Sequence, residues 1–472
     1  MMTIDRKRSR TAALPTAMLA ALGAFAAAAC GDELVVPDFN NPGLEELQNN
    51  PTRAAVLNAA QGLLISSRAQ ISSANGYVSL LGILGRESYN FDGSDPRFVT
   101  EMLAGAGLNA SSPAFGGNLW TVRYNSIRTA NVVINALDGL SDNDMSPAEK
   151  AAVRGFARTL QALDFLEIIN TRDTNGAVID VDRPASEPAG PIVSRDAVFD
   201  HIESLLDQAN SDLAAAGASF PFSLGAGYSG FNTPVTFSEF NRGLAARVAV
   251  YRGNYGEALT ALGQSFLDTS APLDLGVYHT FSTGSGDTQN GLAASPDILA
   301  HPSLDDDAQM NASMELDARF TEKLEVLAAP ETQQGISTDV GFLLYSGLGD
   351  PIPIIKNEEL ILLRAEALLG LNMPEDAADD INFIRVNSGG LDPIANLGTQ
   401  SADAILDELL YNKRYSLLFE GGHRWIDMRR YGKLDELPLA STGHRVHERF
   451  PVPEAECLEQ TGGETGICSA GS

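Results

Sequence analysis

Apolar residues recur every three or four positions through much of the chain, and this spacing predicts a mainly α-helical protein. Residues 120–137 are the clearest case, because their apolar side chains fall near one face of a helix. The predicted helices lie at 120–137, from 147 to about 170, from 194 through 209, across 244–251, and at 255–266, 357–371, 374–387 and 401–420.

Two of these helices begin with a capping signature. Ser146 and Glu149 have capping-box spacing around a proline at the first helical position, and Thr236 and Glu239 have the same spacing before the helix across 244–251. We therefore expect Ser146 and Thr236 to be N-cap residues.

Two pairs of helices match one another, 119 residues apart. Ala246 and Ala258 flank one short polar turn, and Ala365 and Ala377 flank another. Small residues twelve positions apart let two helices approach closely, as in tetratricopeptide hairpins. Together with the other helix pairs, they predict a tetratricopeptide-like helical-repeat scaffold.

Long stretches between these helices show no periodicity. They are rich in Gly, Ser, Asp and Pro and cover residues 86–118, 171–193, 217–234 and 268–351. Loops of this length in a compact protein usually carry function or form small substructures. The predicted fold is thus mainly α, with large irregular loop insertions, in one domain over residues 46–472.

The N-terminus has the pattern of a bacterial lipoprotein signal. A cationic segment is followed by the apolar run 12–29, which ends in small residues directly before Cys30. We predict a signal peptide over residues 1–29, lipidation of Cys30 and an acidic tether over residues 30–45. The alternative is an ordinary signal peptide cut near Ala29, with Cys30 incidental.

The net charge limits the classes of binding partner that we expect, and the cysteines allow one disulfide. The 472 residues include 61 acidic and 32 basic side chains, a net charge of −29, which excludes nucleic acid as the expected partner and disfavours anionic lipid surfaces. The expected membrane contact is through the lipid anchor alone. Cys457 and Cys468 could close a short loop as a disulfide after export, or remain free thiols.

The sequence carries no positive sign of catalysis. A Gly-x-Ser-x-Gly elbow, a His-Glu-x-x-His motif, a phosphate-binding loop and a dinucleotide fingerprint are all missing from it. We therefore predict no enzyme activity, no catalytic residue, no metal site and no cofactor.

The C-terminal third carries a recognisable motif. Residues 419–421 read Phe-Glu-Gly, and residues 423–430 read His-Arg-Trp-Ile-Asp-Met-Arg-Arg. This motif resembles that of the SusD/RagB family of nutrient-binding outer-membrane lipoproteins. Further similar segments are 359–368, 377–385, 450–456 and the helix that carries Trp120, Tyr124, Ile127 and Asn131.

The motif also departs from the family pattern. Asn412 and Ser416 stand where the family often has acidic residues, and Gly422 is an extra glycine. We expect Asp427, together with Arg424, Arg429 and Arg430, to tie the last helix to its neighbours by charge-assisted hydrogen bonds, and Trp425 to lie in the core.

The resemblance implies a lipid-anchored protein of the outer membrane, facing the cell surface. Such a protein captures a nutrient, usually an oligosaccharide, and delivers it to a SusC-like TonB-dependent transporter. One alternative is a tetratricopeptide-like scaffold that binds proteins and no small ligand, although long insertions are unusual in such scaffolds. A glycan-cleaving hydrolase is another.

Aromatic residues in the insertions are the candidates for sugar contact, since aromatic faces stack on sugars while polar side chains bind hydroxyl groups. The alternative is that these aromatics form small cores that hold their own loops. The predicted ligand-binding residues are Tyr89, Phe91, Arg97, Phe98, Phe115 and Tyr345.

Overall fold

A computed structural model describes residues 44–461, apart from residues 105–106, 184–186 and 188–189. The predicted signal peptide, Cys30 and Cys468 lie outside the described residues. The first helix, Leu44–Asn49, includes the last two residues of the predicted tether.

Helices make up about half of the described chain, in keeping with the mainly α-helical fold that the apolar spacing predicts. Those before residue 270 are α1 Leu44–Asn49, α2 Arg53–Ser67, α3 Tyr77–Leu84, α4 Arg97–Thr100, α5 Asn118–Asp138, α6 Pro147–Arg172, α7 Arg195–Ala214, α8 Pro234–Arg252 and α9 Tyr255–Leu262. Those after it are α10 Ser303–Asp306, α11 Ala318–Lys323, α12 Asn357–Gly370, α13 Pro374–Asn387, α14 Ala402–Ser416, α15 His423–Arg430 and α16 Glu454–Thr461. No helix of the described part of the chain is long and apolar enough to cross a bilayer.

The strands of the described residues pair two by two, all antiparallel, and all except β8 lie in the insertions. They are β1 Ser88–Asn90 with β5 Ile298–Ala300, β2 Ala177–Val178 with β3 Ile192–Val193, β4 Gly276–His279 with β8 Ile352–Lys356, and β6 Leu324–Gln333 with β7 Ile336–Phe342.

One capping prediction is confirmed and one is wrong. Ser146 caps α6 in a full capping box with Glu149. At α8 the cap is Thr233, whose hydroxyl accepts from the backbone N–H of Thr236. Pro234 explains the earlier start, because a proline at the first helical position is preorganised for the helix and needs no hydrogen-bond partner.

The two matching hairpins are neighbours in the fold. Ala246 and Ala258 in the α8–α9 pair and Ala365 and Ala377 in the α12–α13 pair are fully buried, so the small residues do allow close helix approach. The end of α12 packs against α9, where a Cβ on Gly370 would lie 2.2 Å from the ring of Tyr255. The helical-repeat scaffold is confirmed.

The insertions build a second core beside the helical one. The helical core includes Phe156, Phe237 and Phe240, whereas the second core gathers α3, the β1–β5 and β6–β7 pairs and α15 around Phe419 and Trp425. The burial of Trp425 agrees with its predicted core role. Long stretches without periodicity therefore fold into small paired substructures rather than into free loops.

The last long helix ends earlier than predicted. It stops at Ser416 because Phe419, Gly421 and Gly422 all have positive φ, which no right-handed helix can accommodate. The extra glycine is required by its surroundings, since a Cβ on Gly422 would lie 2.4 Å from Cβ of Leu81. A separate helix, α15, then begins at His423.

A buried ionic network joins the repeat helices to this C-terminal motif. Glu366 of α12 accepts hydrogen bonds from Lys413 of α14 at 2.8 Å and from Arg430 of α15 at 2.7 Å, and Asp427 binds the same two cations at 2.7 and 2.9 Å. Burial alone would raise the pKa of Glu366, but Arg430 and Lys413 outweigh it and lower the pKa to about 2. We call these four residues the Glu366 network.

The predicted role of Asp427 is thus supported by its contacts with Arg430 and Lys413. Arg429, by contrast, donates to the carbonyl of Asn170 at 2.7 Å, and Arg424 forms no ion pair with a described residue.

The two neutral residues of the motif, Asn412 and Ser416, accept hydrogen bonds from a buried arginine. Arg319 donates to the side-chain oxygens of Asn412 and Ser416 at 3.0 Å each, and its charge is balanced by Asp317 at 2.6 Å. Because Asp317 supplies the carboxylate, positions 412 and 416 need only neutral acceptors.

Near the C-terminus, Cys457 is buried and disulfide-bonded. Its predicted pairing with Cys468 stays a prediction, because Cys468 is outside the described residues.

Replacement of Lys413 by Met should destabilise the protein by about 3–5 kcal/mol, because Glu366 and Asp427 would share one remaining cation in the interior. Chemical denaturation measures this free energy of unfolding. Lys433→Met is the matched control, since its partners Asp407 and Glu436 are exposed, and it should cost less than about 1 kcal/mol. Equal losses in the two variants would contradict a special role for the network.

Candidate functional site

Four of the predicted ligand-binding aromatics lie in the second core. Tyr89, Phe98, Phe115 and Tyr345 are 1–8% exposed, and the hydroxyl of Tyr345 donates to the carbonyl of Phe419 at 3.1 Å. Their ring faces are covered by protein, so the geometry supports the alternative, that these aromatics hold their own loops. Ligand contact by these four residues remains untested.

Phe91 and Arg97 are the predicted residues that reach the surface. The ring of Phe91 is partly exposed and stacks on Tyr89 with a centroid distance of 5.5 Å. Arg97 is exposed, pairs with Asp95 at 2.7 Å and covers the ring of Phe115 at 4.8 Å. The structure therefore leaves one half-exposed ring and one cation at this loop.

A cleft opens between α2 and the end of β4. It has a volume of about 350 Å³, within the range of small-molecule sites. Its walls combine two tyrosines and aliphatic side chains with amide, guanidinium, hydroxyl and carboxylate groups. We call it the α2–β4 cleft, and its main lining residues are Gln61, Leu64, Ile65, Arg68, Ser223, Tyr228, Tyr278 and Asp287.

Internal hydrogen bonds fix the polar groups of the cleft. Arg68 donates to the carbonyl of Thr280 and to the carboxylate of Asp287, so it ties α2 to the loop after β4. The amide of Gln61 donates to the carbonyl of Ser223 at 3.3 Å. These contacts preorganise the walls, which reduces the entropy lost when a ligand binds.

Two features make the cleft suitable for a polar ligand with apolar faces. Tyr278 is half-buried, and its hydroxyl donates to the carbonyl of Asp274. Ile65 is 55% exposed although it belongs to a helix with an apolar buried face. The ring and the aliphatic side chain offer an apolar surface next to the amide of Gln61.

A second groove, between α7, α8 and α9, is less suitable. It is similar in volume, about 370 Å³, but its walls carry Glu203, Asp207 and Glu257 and no aromatic side chain. Stacking on a sugar ring is therefore impossible there. We take the α2–β4 cleft as the candidate site.

A small polar cavity lies in the interior next to the cleft, and His279 lines both. Its volume of about 40 Å³ suits ordered water rather than a sugar ring. Burial lowers the pKa of His279 to about 3, so this imidazole is neutral at physiological pH. The described residues bring no three His, Cys, Asp or Glu side chains together in a way that could hold a metal ion.

One carboxyl of this cavity titrates near neutrality. Burial raises the pKa of Glu167 to about 7, although Arg123 lies 3.1 Å away. Arg123 also binds Asp164 at 2.9 Å, and burial raises the pKa of Asp164 to about 6. Between about pH 6 and pH 7 the guanidinium therefore keeps a carboxylate partner when Glu167 is protonated.

Sequence patterns could not identify the cleft. Its walls come from α2, from the stretch before α8 and from the loop after β4, three segments that only the tertiary structure brings together. The one local signal is Ile65, an apolar residue on the polar face of α2.

Comparison with known proteins finds a family similarity in the C-terminal part of the chain. Residues 345–465 match the model of the SusD family, and the match includes the C-terminal motif and the Glu366 network. A SusD-like protein of Formosa agariphila is 32% identical over 136 residues, which are 26% of this chain and 26% of that protein. The match thus spans about a quarter of this curated relative.

Solved structures match the fold over nearly the whole described chain. A SusD superfamily protein of Bacteroides vulgatus has a TM-score of 0.63 at 13% identity, covering 85% of this chain and 96% of that one. A SusD-like carbohydrate-binding protein of Bacteroides fragilis has a TM-score of 0.64 at 14% identity and covers 85% and 98%. A laminarin-binding SusD-like protein has a TM-score of 0.58 at 16% identity and covers 87% and 98%.

The fold is therefore that of tetratricopeptide-like SusD superfamily proteins. Its C-terminal part, residues 345–465, is similar to the SusD/RagB family, as the C-terminal motif predicts.

The raised pKa of Glu167 predicts how the free energy of unfolding depends on pH. Its pKa in the folded protein is above the unfolded value of 4.5, so its contribution to folding declines as pH rises from about 4.5 to about 7. Glu167→Gln removes this decline. The stability of the variant relative to the wild type should therefore improve by about 1–3 kcal/mol between pH 5 and pH 8.

Urea denaturation at the two pH values measures this difference. Glu257→Gln is the control, because its carboxylate is exposed on α9. A wild-type-to-variant difference that is the same at pH 5 and pH 8 would rule out Glu167 as the titrating group.

Proposed function

We propose that this protein is a cell-surface substrate-binding lipoprotein that captures an oligosaccharide in the α2–β4 cleft and delivers it to a SusC-like TonB-dependent transporter. The observation that carries the ligand class is the cleft itself, where the half-buried ring of Tyr278 lies with polar side chains in a preorganised pocket. Aromatic faces next to fixed hydrogen-bonding groups are suited to sugars.

The relatives support the same class of ligand. Two proteins that share the fold are described as carbohydrate-binding and laminarin-binding, respectively. Laminarin oligosaccharides are therefore a reasonable first probe, together with other neutral and acidic glycans. The domain proposed here covers residues 46–472, after a signal peptide over residues 1–29 and a tether over residues 30–45.

The insertions favour ligand binding over the alternative of a pure protein-interaction scaffold. They form a second core and two of the three walls of the cleft, those at Ser223 and at Tyr278. A scaffold that binds proteins along its repeats has no need of such additions.

Removal of the tyrosine ring from the cleft should weaken glycan binding. Tyr278→Ala is expected to lower the affinity several-fold to about tenfold, because a stacked aromatic contributes roughly 0.5–1.5 kcal/mol beyond its burial. Isothermal titration calorimetry against a glycan panel measures the affinity. The melting temperature of the same samples shows whether the fold is intact.

Two matched variants locate the site. Phe91→Ala tests the predicted loop around Arg97, and Gln264→Ala tests the groove between α7 and α9. If only Phe91→Ala lowers the glycan affinity, the binding site is at the loop and not in the cleft. Retained affinity in Tyr278→Ala with normal melting would exclude the cleft, and turnover of the glycan would favour a hydrolase.

The lipid anchor predicts a specific fractionation result. Cys30→Ser should move the protein from the outer-membrane fraction to the soluble fraction, because an acyl chain contributes about 0.8 kcal/mol of membrane affinity per buried methylene. Immunoblots of the fractions measure the distribution, and Cys457→Ser serves as a control that keeps Cys30. A Cys30→Ser protein that still sediments with outer membrane would contradict the anchor.

A further inference from the structure

An ion pair lies at one end of the α2–β4 cleft. Arg68 of α2 and Asp287 of the loop after β4 both line the cleft, and the guanidinium donates to Oδ1 of the carboxylate. Arg68 also donates to the carbonyl of Thr280. The side chain of Arg68 is 11% exposed and that of Asp287 is 33% exposed, so the pair is largely covered but can be reached from the cleft.

The pair has hydrogen-bonding capacity that the described residues do not use. A guanidinium has five N–H groups, and those of Arg68 make one hydrogen bond from each Nη nitrogen and none from Nε to a described residue. The carboxylate of Asp287 has about four lone-pair directions. It accepts from Arg68, from the backbone N–H of Thr288 at 2.8 Å and from Ser282. A donor on each Nη nitrogen and one acceptor position are therefore left for a ligand.

The loop that carries Asp287 is held by its own hydrogen bonds. The backbone N–H of Ser282 donates to the carbonyl of Thr288 at 3.0 Å, and that of Asp287 donates to the carbonyl of Gly284 at 3.1 Å. Gly286 has a φ of +85°, which glycine adopts without strain. The carboxylate is thus presented to the cleft from a defined turn, and this reduces the entropy lost when a ligand binds.

The tyrosine of the cleft lies close to the ion pair. Tyr278 is two residues before Thr280, whose carbonyl binds Arg68, so the two Cα atoms are at most about 7 Å apart. Gln61 and Arg68 are seven positions apart on one face of α2, which corresponds to about 10 Å along the helix axis. The cleft therefore has an aromatic ring beside the ion pair at one end and an amide at the other.

Two adjacent hydroxyl groups of a sugar ring match this arrangement. Each hydroxyl is both a donor and an acceptor, so one can accept from the guanidinium while its neighbour donates to the carboxylate. Hydroxyl oxygens on neighbouring ring carbons are about 3 Å apart, which is close to the N···O separation of a charged hydrogen-bonded pair. Hydrogen bonds to charged groups are stronger than those between neutral groups, so such contacts can discriminate between glycans.

We propose that Arg68 and Asp287 together bind two adjacent hydroxyl groups of a sugar ring that stacks on Tyr278, and so select glycans whose residues keep such hydroxyls free. This inference rests on the proposed glycan-binding function of the cleft. A neutral glycan is favoured, because Asp287 already balances the charge of Arg68 and the chain carries a net charge of −29.

The alternative is that the ion pair only joins α2 to the loop after β4. A purely structural pair would affect the binding of all glycans alike and would change the melting temperature. A pair that binds adjacent hydroxyl groups distinguishes glycans by their linkage, and this difference can be measured.

Two neutral hexasaccharides of glucose separate these roles. Cellohexaose is β-1,4-linked, and each of its residues has free hydroxyls on the neighbouring carbons C2 and C3. Laminarihexaose is β-1,3-linked, and only its two end residues have adjacent free hydroxyls. Calorimetry with the purified chain should therefore show binding of cellohexaose that is several-fold tighter than binding of laminarihexaose.

Asp287→Asn should lower the affinity for cellohexaose about tenfold, because a hydrogen bond to a charged acceptor is lost. It should also remove most of the preference over laminarihexaose. Asp212→Asn is the matched control, since Asp212 pairs with Arg158 at 2.5 Å between α6 and α7 and has a side chain only 16% exposed. This control should leave both affinities unchanged, and the melting temperature of each variant shows whether the fold is intact.

Equal affinity of the wild type for the two hexasaccharides would overturn the inference, and so would tighter binding of an oligogalacturonide than of cellohexaose. An Asp287→Asn protein with normal melting and an unchanged preference would also overturn it. If Asp287→Asn does not fold, Arg68→Lys takes its place, because lysine keeps the charge but lacks the forked donors. An unchanged preference in Arg68→Lys has the same meaning.

Failure of the proposed function has a different signature. In that case no glycan binds the wild type, or binding survives Tyr278→Ala with normal melting. Laminarihexaose that binds as tightly as cellohexaose, and that loses affinity in Tyr278→Ala, would instead support the proposed function and reject the role of the ion pair.

Discussion

The Glu366 network is the constraint on which the rest of the structure depends. One carboxylate in the interior of the helical scaffold binds a lysine from α14 and an arginine from α15, and the same arginine donates to the carbonyl of Val250 in α8 at 2.7 Å. Four helices from two repeat hairpins and the C-terminal motif are thereby held together. An interior carboxylate is tolerated only with such partners, so the family motif is required at this place in the fold.

The network also positions the second core. It fixes α15, and α15 places Trp425 among the side chains of the insertions, where the indole donates to the carbonyl of His447 at 2.8 Å. This placement requires glycine at position 422, because the chain turns there so close to Leu81 that a Cβ would clash with it. A rigid helical scaffold can therefore support irregular insertions, which in turn supply the walls of the α2–β4 cleft.

The walls of the α2–β4 cleft decide its chemistry. The cleft combines a half-buried tyrosine with hydrogen-bonding groups already engaged with one another, which suits a neutral polar ligand.

The sequence by itself determined the helices, the repeat hairpins and the resemblance to the SusD/RagB family, because apolar spacing, small residues at tight crossings and the motif around Trp425 are local patterns. It also predicted Arg430 as an ionic partner of Asp427, but it did not predict Lys413. Only the tertiary structure decided which aromatics are covered: Tyr89 and Phe115 look alike in a loop sequence, but both fill the second core, whereas Tyr278 borders a cleft. The physical reason is that ring exposure depends on packing between segments more than one hundred residues apart, and no local pattern encodes such contacts.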